Sequence, residues 1–307
     1  MRPPLPNLLV AALSLCLAAV PVRAGADELR DALTSGADLT LRAAFGAFDS
    51  VIGQAQGGLR HVRLDRRGLF LATRAKRDMP RVWSAFQARE YHGTREGHVF
   101  DLLAAYERPL TGETRAGLAA GLAKANLDTG ERMQVSAFSV APYLTARLNE
   151  RTGLKAWLAF SRPDYRLRTG HLRARRAAAG VRANTRRTFG AVKLTGSLAL
   201  TASRQVHPKL DLPDHAVEDF AIERLNGTIR SRATFGGDAP LKPYVDLALD
   251  LGHWRDAGGQ GDHMRPSLRT GFAWSSKRHR VKFDLDGNRA FDAGRPLVLR
   301  ARYDWRF

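Results

Sequence analysis

Eight arginines, Arg166, Arg168, Arg173, Arg175, Arg176, Arg182, Arg186 and Arg187, fall in one stretch of the chain that holds no acidic residue. A guanidinium can offer two parallel N–H donors to a phosphate, so such a loop is a candidate phosphate-binding surface. Asp214-His215 and Asp262-His263 are the other chemical candidates, since a carboxylate beside an imidazole can act as an acid–base pair in a hydrolase. Adjacency alone is a weak form of that signal. No segment supplies a serine nucleophile with a matched histidine, and no His-x-x-x-His spacing or carboxylate cluster marks a metal. The sequence therefore assigns no catalytic, cofactor-binding or metal-binding residue, and no cofactor is expected.

The compartment decides which phosphate the arginines could meet. Arg2, the apolar run from Leu8 to Val20 and the small-residue exit Val22-Arg23-Ala24 read as a signal peptide over residues 1–24. The only cysteine, Cys16, lies inside it, so the exported chain forms no disulfide and no thiolate metal site. The formal charge of +19 becomes +17 once Arg2 and Arg23 are removed. A basic chain attracts polyanions, but export separates this one from nucleic acid. Phosphorylated glycolipid, the lipopolysaccharide of an outer membrane, is the expected partner instead.

Past the signal no apolar run approaches the ~20 residues of a spanning helix. From about Arg81 to Phe307 the apolar residues alternate with polar ones at period two. Phe100, Leu102, Ala104 and Tyr106 alternate with Asp101 and Glu107. Phe138, Val140, Leu144 and Leu148 alternate with Ser139, Thr145 and Arg147, and Val245, Leu247, Leu249 and Leu251 with Asp246 and Asp250. The last segment is the clearest: Leu297, Leu299, Ala301, Tyr303, Trp305 and Phe307 share one face, and Arg300, Arg302, Asp304 and Arg306 the other. The pattern predicts an all-β, transmembrane antiparallel barrel of about 12 strands over 81–307, with lipid on the apolar face and water on the charged one. Asp101, Glu107, Asp246, Asp250, Arg269, Arg280, Lys282, Asp284, Arg300, Arg302 and Arg306 then form ladders along a wet lumen.

Short turns are expected at Pro109–Glu113, Asn149–Gly153, Thr195–Ser197, Gly236–Pro240 and Ser276–His279 on the periplasmic side. Longer extracellular loops are expected at Arg166–Arg187, His207–Glu218, Asp256–His263 and Gly287–Gly294. Residues 25–80 form a separate N-terminal unit. Leu29, Leu33, Leu41, Ala44, Phe48, Ile52 and Ala55 recur at helical spacing. Gly36 reads as a break, with Asp38 capping a second helix, and Gly57-Gly58 ends the pattern. A basic linker containing Arg63, Arg66, Arg67, Arg74, Lys76 and Arg77 follows.

A helix leading into strands that open with Val82-Trp83 and close with Tyr303, Trp305 and a terminal Phe307 resembles the translocator domain of autotransporters over roughly Asp27 to Phe307. The wall segment Ala116-Gly117-Leu118-Ala119-Ala120-Gly121-Leu122 adds a weaker match. The resemblance implies a helix in the lumen and an assembly signal at Tyr303, Trp305 and Phe307, read by the barrel assembly machinery. Between Gly25 and the helix there is no length for a passenger, and 25–80 holds no asparagine for intrabarrel self-cleavage. The expectation is a non-catalytic, monomeric barrel of this type standing alone in the outer membrane, its lumen plugged by the helix. A porin-like channel and an outer-membrane hydrolase are the alternatives.

Overall fold

In the computed structural model the described residues are 21–52, 61–65, 68–73, 79–92, 96–168, 170–211, 216–276, 279–286 and 298–306. One helix, α1 (Pro21–Val51), precedes the strands. These are β1 (His61–Asp65), β2 (Gly68–Ala72), β3 (Arg81–Tyr91), β4 (Glu96–Pro109), β5 (Thr114–Asp128), β6 (Arg132–Arg147), β7 (Thr152–Leu167), β8 (His171–Arg173) and β9 (Arg175–Phe189). Then follow β10 (Val192–His207), β11 (Leu210–Asp211), β12 (Ala216–Val217), β13 (Phe220–Thr234), β14 (Leu241–Asp256), β15 (Gly259–Ser275), β16 (His279–Asp286) and β17 (Val298–Arg306).

Among the described residues, fourteen antiparallel strands form a ring: β1 to β7, β9, β10 and β13 to β17. Pairing of β1 with β17 and of β6 with β7 closes it, so the main wall has no free edge. Twelve of the fourteen begin at Arg81 or later, the number expected from the alternation. The other two are a short hairpin inside what the sequence presents as a basic linker. Val62 and Leu64 oppose Trp305 and Tyr303, and β2 pairs with β3, so the hairpin fills the gap between the first and last long strands.

Side chains of a strand point alternately to opposite faces, and β4 shows the consequence. Val99, Asp101, Leu103, Ala105 and Glu107 are buried, whereas Phe100, Leu102, Ala104 and Tyr106 are exposed. Around the ring Leu118, Leu122, Phe138, Leu158, Phe160, Leu198, Leu225, Ile229 and Leu247 are likewise about half exposed, all on the outer surface. Leaving these nine side chains half in water forgoes on the order of 10 kcal/mol relative to an apolar solvent. That is as much as the whole stability of an ordinary domain. The outer wall is therefore built for lipid. Exposed aromatics lie in two bands, Tyr106, Phe189, Phe235 and Trp274 beside the turns at one end of the wall and Phe100, Phe138 and Phe160 nearer the middle of their strands, which suits the two membrane interfaces of a wall that overruns the lipid at its other end.

Inside, glycines stand directly opposite large rings on the neighbouring strand. The pairs are Gly117 with Tyr143, Gly180 with Trp157, Gly252 with His263, Gly261 with Trp254 and Gly271 with Tyr244. A Cβ at Gly180 would lie 2.4 Å from the Trp157 ring, and one at Gly117 2.2 Å from Tyr143. The missing side chain lets the ring lie flat across the adjacent strand, which locks the register of the pair.

Several expected connections fall elsewhere. The turns at 109–113, 149–153 and 236–240 lie where the sequence places them, the middle of the one expected at 276–279 lies outside the described residues, and Thr195–Ser197 is inside β10. The chain reverses instead at Gly190, whose φ of 52° is the left-handed conformation a tight turn needs and glycine supplies. The expected loop Asp256–His263 is also mostly strand, with a two-residue turn at 257–258. Only a short part of Arg166–Arg187 is loop, since β8 and β9 occupy most of it. Gly287–Gly294 lies outside the described residues. The strands run to 14–17 residues over most of the wall, longer than the ~10 needed to cross a bilayer at a tilt, so the wall extends beyond the lipid.

Candidate functional site

Among the described residues, the helix and the inner wall that receives it form the most elaborate side-chain site. At ~1.5 Å per residue, the part of α1 that follows the signal peptide, from Gly25 to Val51, spans about 40 Å, more than a ~30 Å hydrocarbon layer. The helix runs unbroken through Gly36, and Asp38 is not a cap. A Cβ on Gly36 would lie 2.3 Å from Met133 Sδ, so glycine here lets the helix press against β6. Asp38 accepts from Arg42 Nε one turn later at 3.0 Å and pairs with Arg224 of β13.

The apolar face of the helix is buried in two clusters. Leu29, Leu33 and Ala37 pack with Leu127, Met133, Tyr165 and Ile222. Leu41, Phe45, Phe48 and Ile52 pack with Phe70, Trp83, Leu103, Tyr143 and Trp157. Phe45 stacks on Trp157 with ring centroids 5.8 Å apart. Both clusters combine helix residues with the inward series of the strands, so the helix lies against the inner wall.

Polar contacts fix its height. Near its C-terminal end Asp49 lies 3.1 Å from Lys155 Nζ of β7 and pairs with Arg182 of β9. At mid-helix Arg176 of β9 donates through Nη2 to Thr40 Oγ1 at 2.8 Å and through Nε to Gln205 Oε1 at 2.6 Å. Gln205 in turn donates to the Tyr165 hydroxyl at 2.7 Å. Near the other end Arg30 donates to the Ala257 carbonyl, and Thr129 to the Ala32 carbonyl. Each of these contacts joins the helix to a different place on the wall, so it cannot slide or rotate without breaking several.

The wall carries charge clusters of its own. Glu107 accepts from Arg81 and Arg115 at 3.2 and 3.0 Å and from the Tyr143 hydroxyl at 3.0 Å, and Trp83 donates to that same hydroxyl. Asp101 pairs with Arg89 at 2.8 Å, Asp246 with Arg230 and Arg232, and Asp284 with Lys282 at 2.6 Å. These are the ladders the alternation predicts, with Arg81, Arg89, Arg115, Arg230 and Arg232 as partners the sequence reading did not name. The side chains of Arg300, Arg302 and Arg306 lie outside the described residues.

The arginine stretch does not act as one unit. Arg166 is the last residue but one of β7, Arg168 follows the strand, Arg173 is on β8, and Arg175 opens β9 facing outwards, all four exposed. Arg176 and Arg182 face inwards, towards Thr40 and Asp49. Arg186 and Arg187 lie at the far end of β9. The expectation of one loop fails because Arg176–Arg187 encloses the apolar core Ala177-Ala178-Ala179-Gly180-Val181, which pairs on both sides and deals its arginines to both faces.

Asp262 and His263 occupy adjacent positions of β15 and so point to opposite faces. Asp262 instead meets His253 Nδ1 at 2.8 Å on the outside. Asp214-His215 lies outside the described residues. Tyr303 is exposed on the outer face and contacts His279 Nδ1 at 2.6 Å. The Trp305 side chain and Phe307 lie outside the described residues. Among the described residues no cluster of His, Cys, Asp or Glu is arranged to hold a metal.

No protein-family model matches the chain, and no curated protein matches it in sequence. Solved structures do match. The β-domain of the autotransporter BrkA of Bordetella has a TM-score of 0.50 at 16% identity, over 75% of this chain and 100% of that one. The translocator domain of the autotransporter NalP of Neisseria meningitidis has a TM-score of 0.51 at 12% identity, over 91% of this chain and 98% of that one. Identity this low speaks to the fold alone, and the fold it shows is that of the autotransporter translocator domain, a β-barrel of the bacterial outer membrane.

Proposed function

We propose that this protein is a non-catalytic outer-membrane barrel of translocator type whose N-terminal helix closes its lumen. The observation that carries the reading is the double anchoring of the helix: Asp38 and Asp49, eleven residues and about 16 Å apart along its axis, are each ion-paired to wall cations. A helix held only by its apolar face could equally lie on a membrane surface. A buried carboxylate, Asp38, matched to Arg224, and a partly buried one, Asp49, matched to Lys155 and Arg182, favour the lumen over a membrane surface. The C-terminal series Tyr303, Trp305 and Phe307 remains the proposed address for the assembly machinery, the protein works as a monomer, and both ends of the barrel domain lie in the periplasm.

Deleting Asp27 to Gly57 behind the signal peptide tests the plug. The truncated barrel, shown to be folded by heat-modifiable migration, should conduct in planar bilayers where the intact protein conducts little. Equal conductance of the two would overturn the reading. A porin-like channel is favoured by one feature, the Arg42 side chain, which is 52% exposed although it sits at mid-helix. Water reaches that side of the helix, so a large steady conductance in the intact protein would support this alternative.

A further inference from the structure

The outer surface of β7 to β13 carries a basic patch directly above an apolar groove, and we infer that the two together form a docking site for the phosphorylated glycolipid of the outer leaflet. The inference rests on the orientation given under the proposed function, which puts the β7–β9 connection at the cell surface. On the strands at that end the outward charges are Arg162, Arg166, Arg173, Arg175 and Arg204 against Asp164 and Glu223, and with Arg168, Lys209, Asp211, Glu218 and Asp219 of the adjoining connections the patch stands at +2 among the described residues.

Register sets the height of the patch. Ser161 lies opposite Arg176, which makes Arg162 and Arg175 neighbours across β7 and β9. Ala177 pairs with Phe160 on one side and Arg204 on the other, so Arg204 shares a row with Phe160, an aromatic of the interface girdle that is 57% exposed. Arg162 and Arg175 stand one outward position higher, about 7 Å along the strands. Arginines at and just above an aromatic girdle are at headgroup level.

One outward position below Phe160 the surface sinks into a groove of about 540 Å³. Ala179 and Ala202 form its floor and Leu158, Val181, Leu200 and Leu225 its sides. The row Leu158–Ala179–Ala202–Leu225 explains the depression, since two alanines lie between two leucines. A groove of this size takes part of a saturated acyl chain. Phosphates on a sugar headgroup with acyl chains hanging from it match the vertical order of guanidinium and groove, whereas a soluble polyanion would leave the groove empty. Arg176 and Arg182 take no part, because they face the lumen.

The test uses the purified full-length protein in detergent, titrated with purified bis-phosphorylated lipid A. Two variants separate the halves of the site: R162Q/R175Q/R204Q removes the cations, and A179F/A202F fills the groove. R187Q, outward-facing but about 40 Å further along β9, serves as the charge control. Each of the first two variants should weaken lipid A binding at least tenfold, and R187Q should bind as the unaltered protein does, with heat-modifiable migration reporting a folded barrel in every case. Dephosphorylated lipid A and phosphatidylglycerol should bind at least tenfold more weakly than lipid A to the unaltered protein. Undiminished affinity in either folded variant, an equal loss in R187Q, or equal binding of phosphatidylglycerol would overturn the proposal. The titration is independent of membrane orientation and of the plug, so a failure here is distinct from a failure of either.

Discussion

Asp49 shows how much one side chain carries in this lumen. Its carboxylate faces Lys155 and Arg182 together, and removing it leaves two cations from adjacent strands facing each other against an apolar helix. Breaking a buried ion pair costs about 3–5 kcal/mol when the remaining charge has no other partner. The partial exposure of Arg182 reduces that here to roughly 1–3 kcal/mol. Asp49→Ala should therefore raise the open probability of single channels by about tenfold or more while the barrel stays folded. The charge swap Asp49→Arg with Arg182→Asp should recover part of the loss, because the attraction is restored with its sign reversed. Equal open probability in Asp49→Ala and the unaltered protein would show that the apolar face alone retains the helix. Asp49 is legible in the sequence, as it sits on the polar face of an amphipathic pattern. Its partners were hidden, because Lys155 and Arg182 are more than 100 residues away and nothing local marks them as inward-facing.

At the scale of elements, the wall depends on glycine–ring pairs that no single strand displays. Gly180 is one of a run of small residues on β9 and looks interchangeable with its alanine neighbours. Yet its Cβ position is 2.4 Å from Trp157, a ring that also stacks on Phe45 of the helix. Gly180→Val should push Trp157 into that stack and destabilise both the β7–β9 pairing and the seat of the helix, by about 1–3 kcal/mol for an overpacked core. The temperature at which the folded band is lost in heat-modifiable electrophoresis should fall, whereas Ala179→Val, one residue away on the lipid face, should leave it nearly unchanged. Equal behaviour of the two variants would remove the role assigned to the pair. The β1–β2 hairpin also belongs to this scale. Its five-residue strands are too short to stand out by alternation, and they become strands because β3 and β17 offer them edges to pair with.

At the scale of the whole molecule the barrel has a direction. The strand parity puts the turns at 109–113, 149–153 and 236–240 at the same end as His61 and Arg306, and the β7–β9 connection at the other. Arg168 is exposed in that connection. A cysteine at Arg168, in a mature chain without other cysteines, should react with an impermeant maleimide on intact cells to nearly the extent seen after permeabilisation. Labelling that appeared only after the outer membrane was breached would reverse the orientation.

The sequence by itself determined the barrel, its approximate strand number and, in segments such as β4, β6 and β14, which residues share a face, because period-two alternation between lipid and water is a local property that those segments display. It also determined the helix and its apolar stripe for the same reason. Only the tertiary structure decided the ring of fourteen, the turn at Gly190 rather than Thr195, the single unbroken helix and the division of the arginines between lumen and outer surface. Those follow from cross-strand register, in which a shift of one residue turns every side chain to the other face. Register is set by closure of the ring, by glycine–ring fits and by the helix seated inside, all of them contacts between segments far apart in the chain.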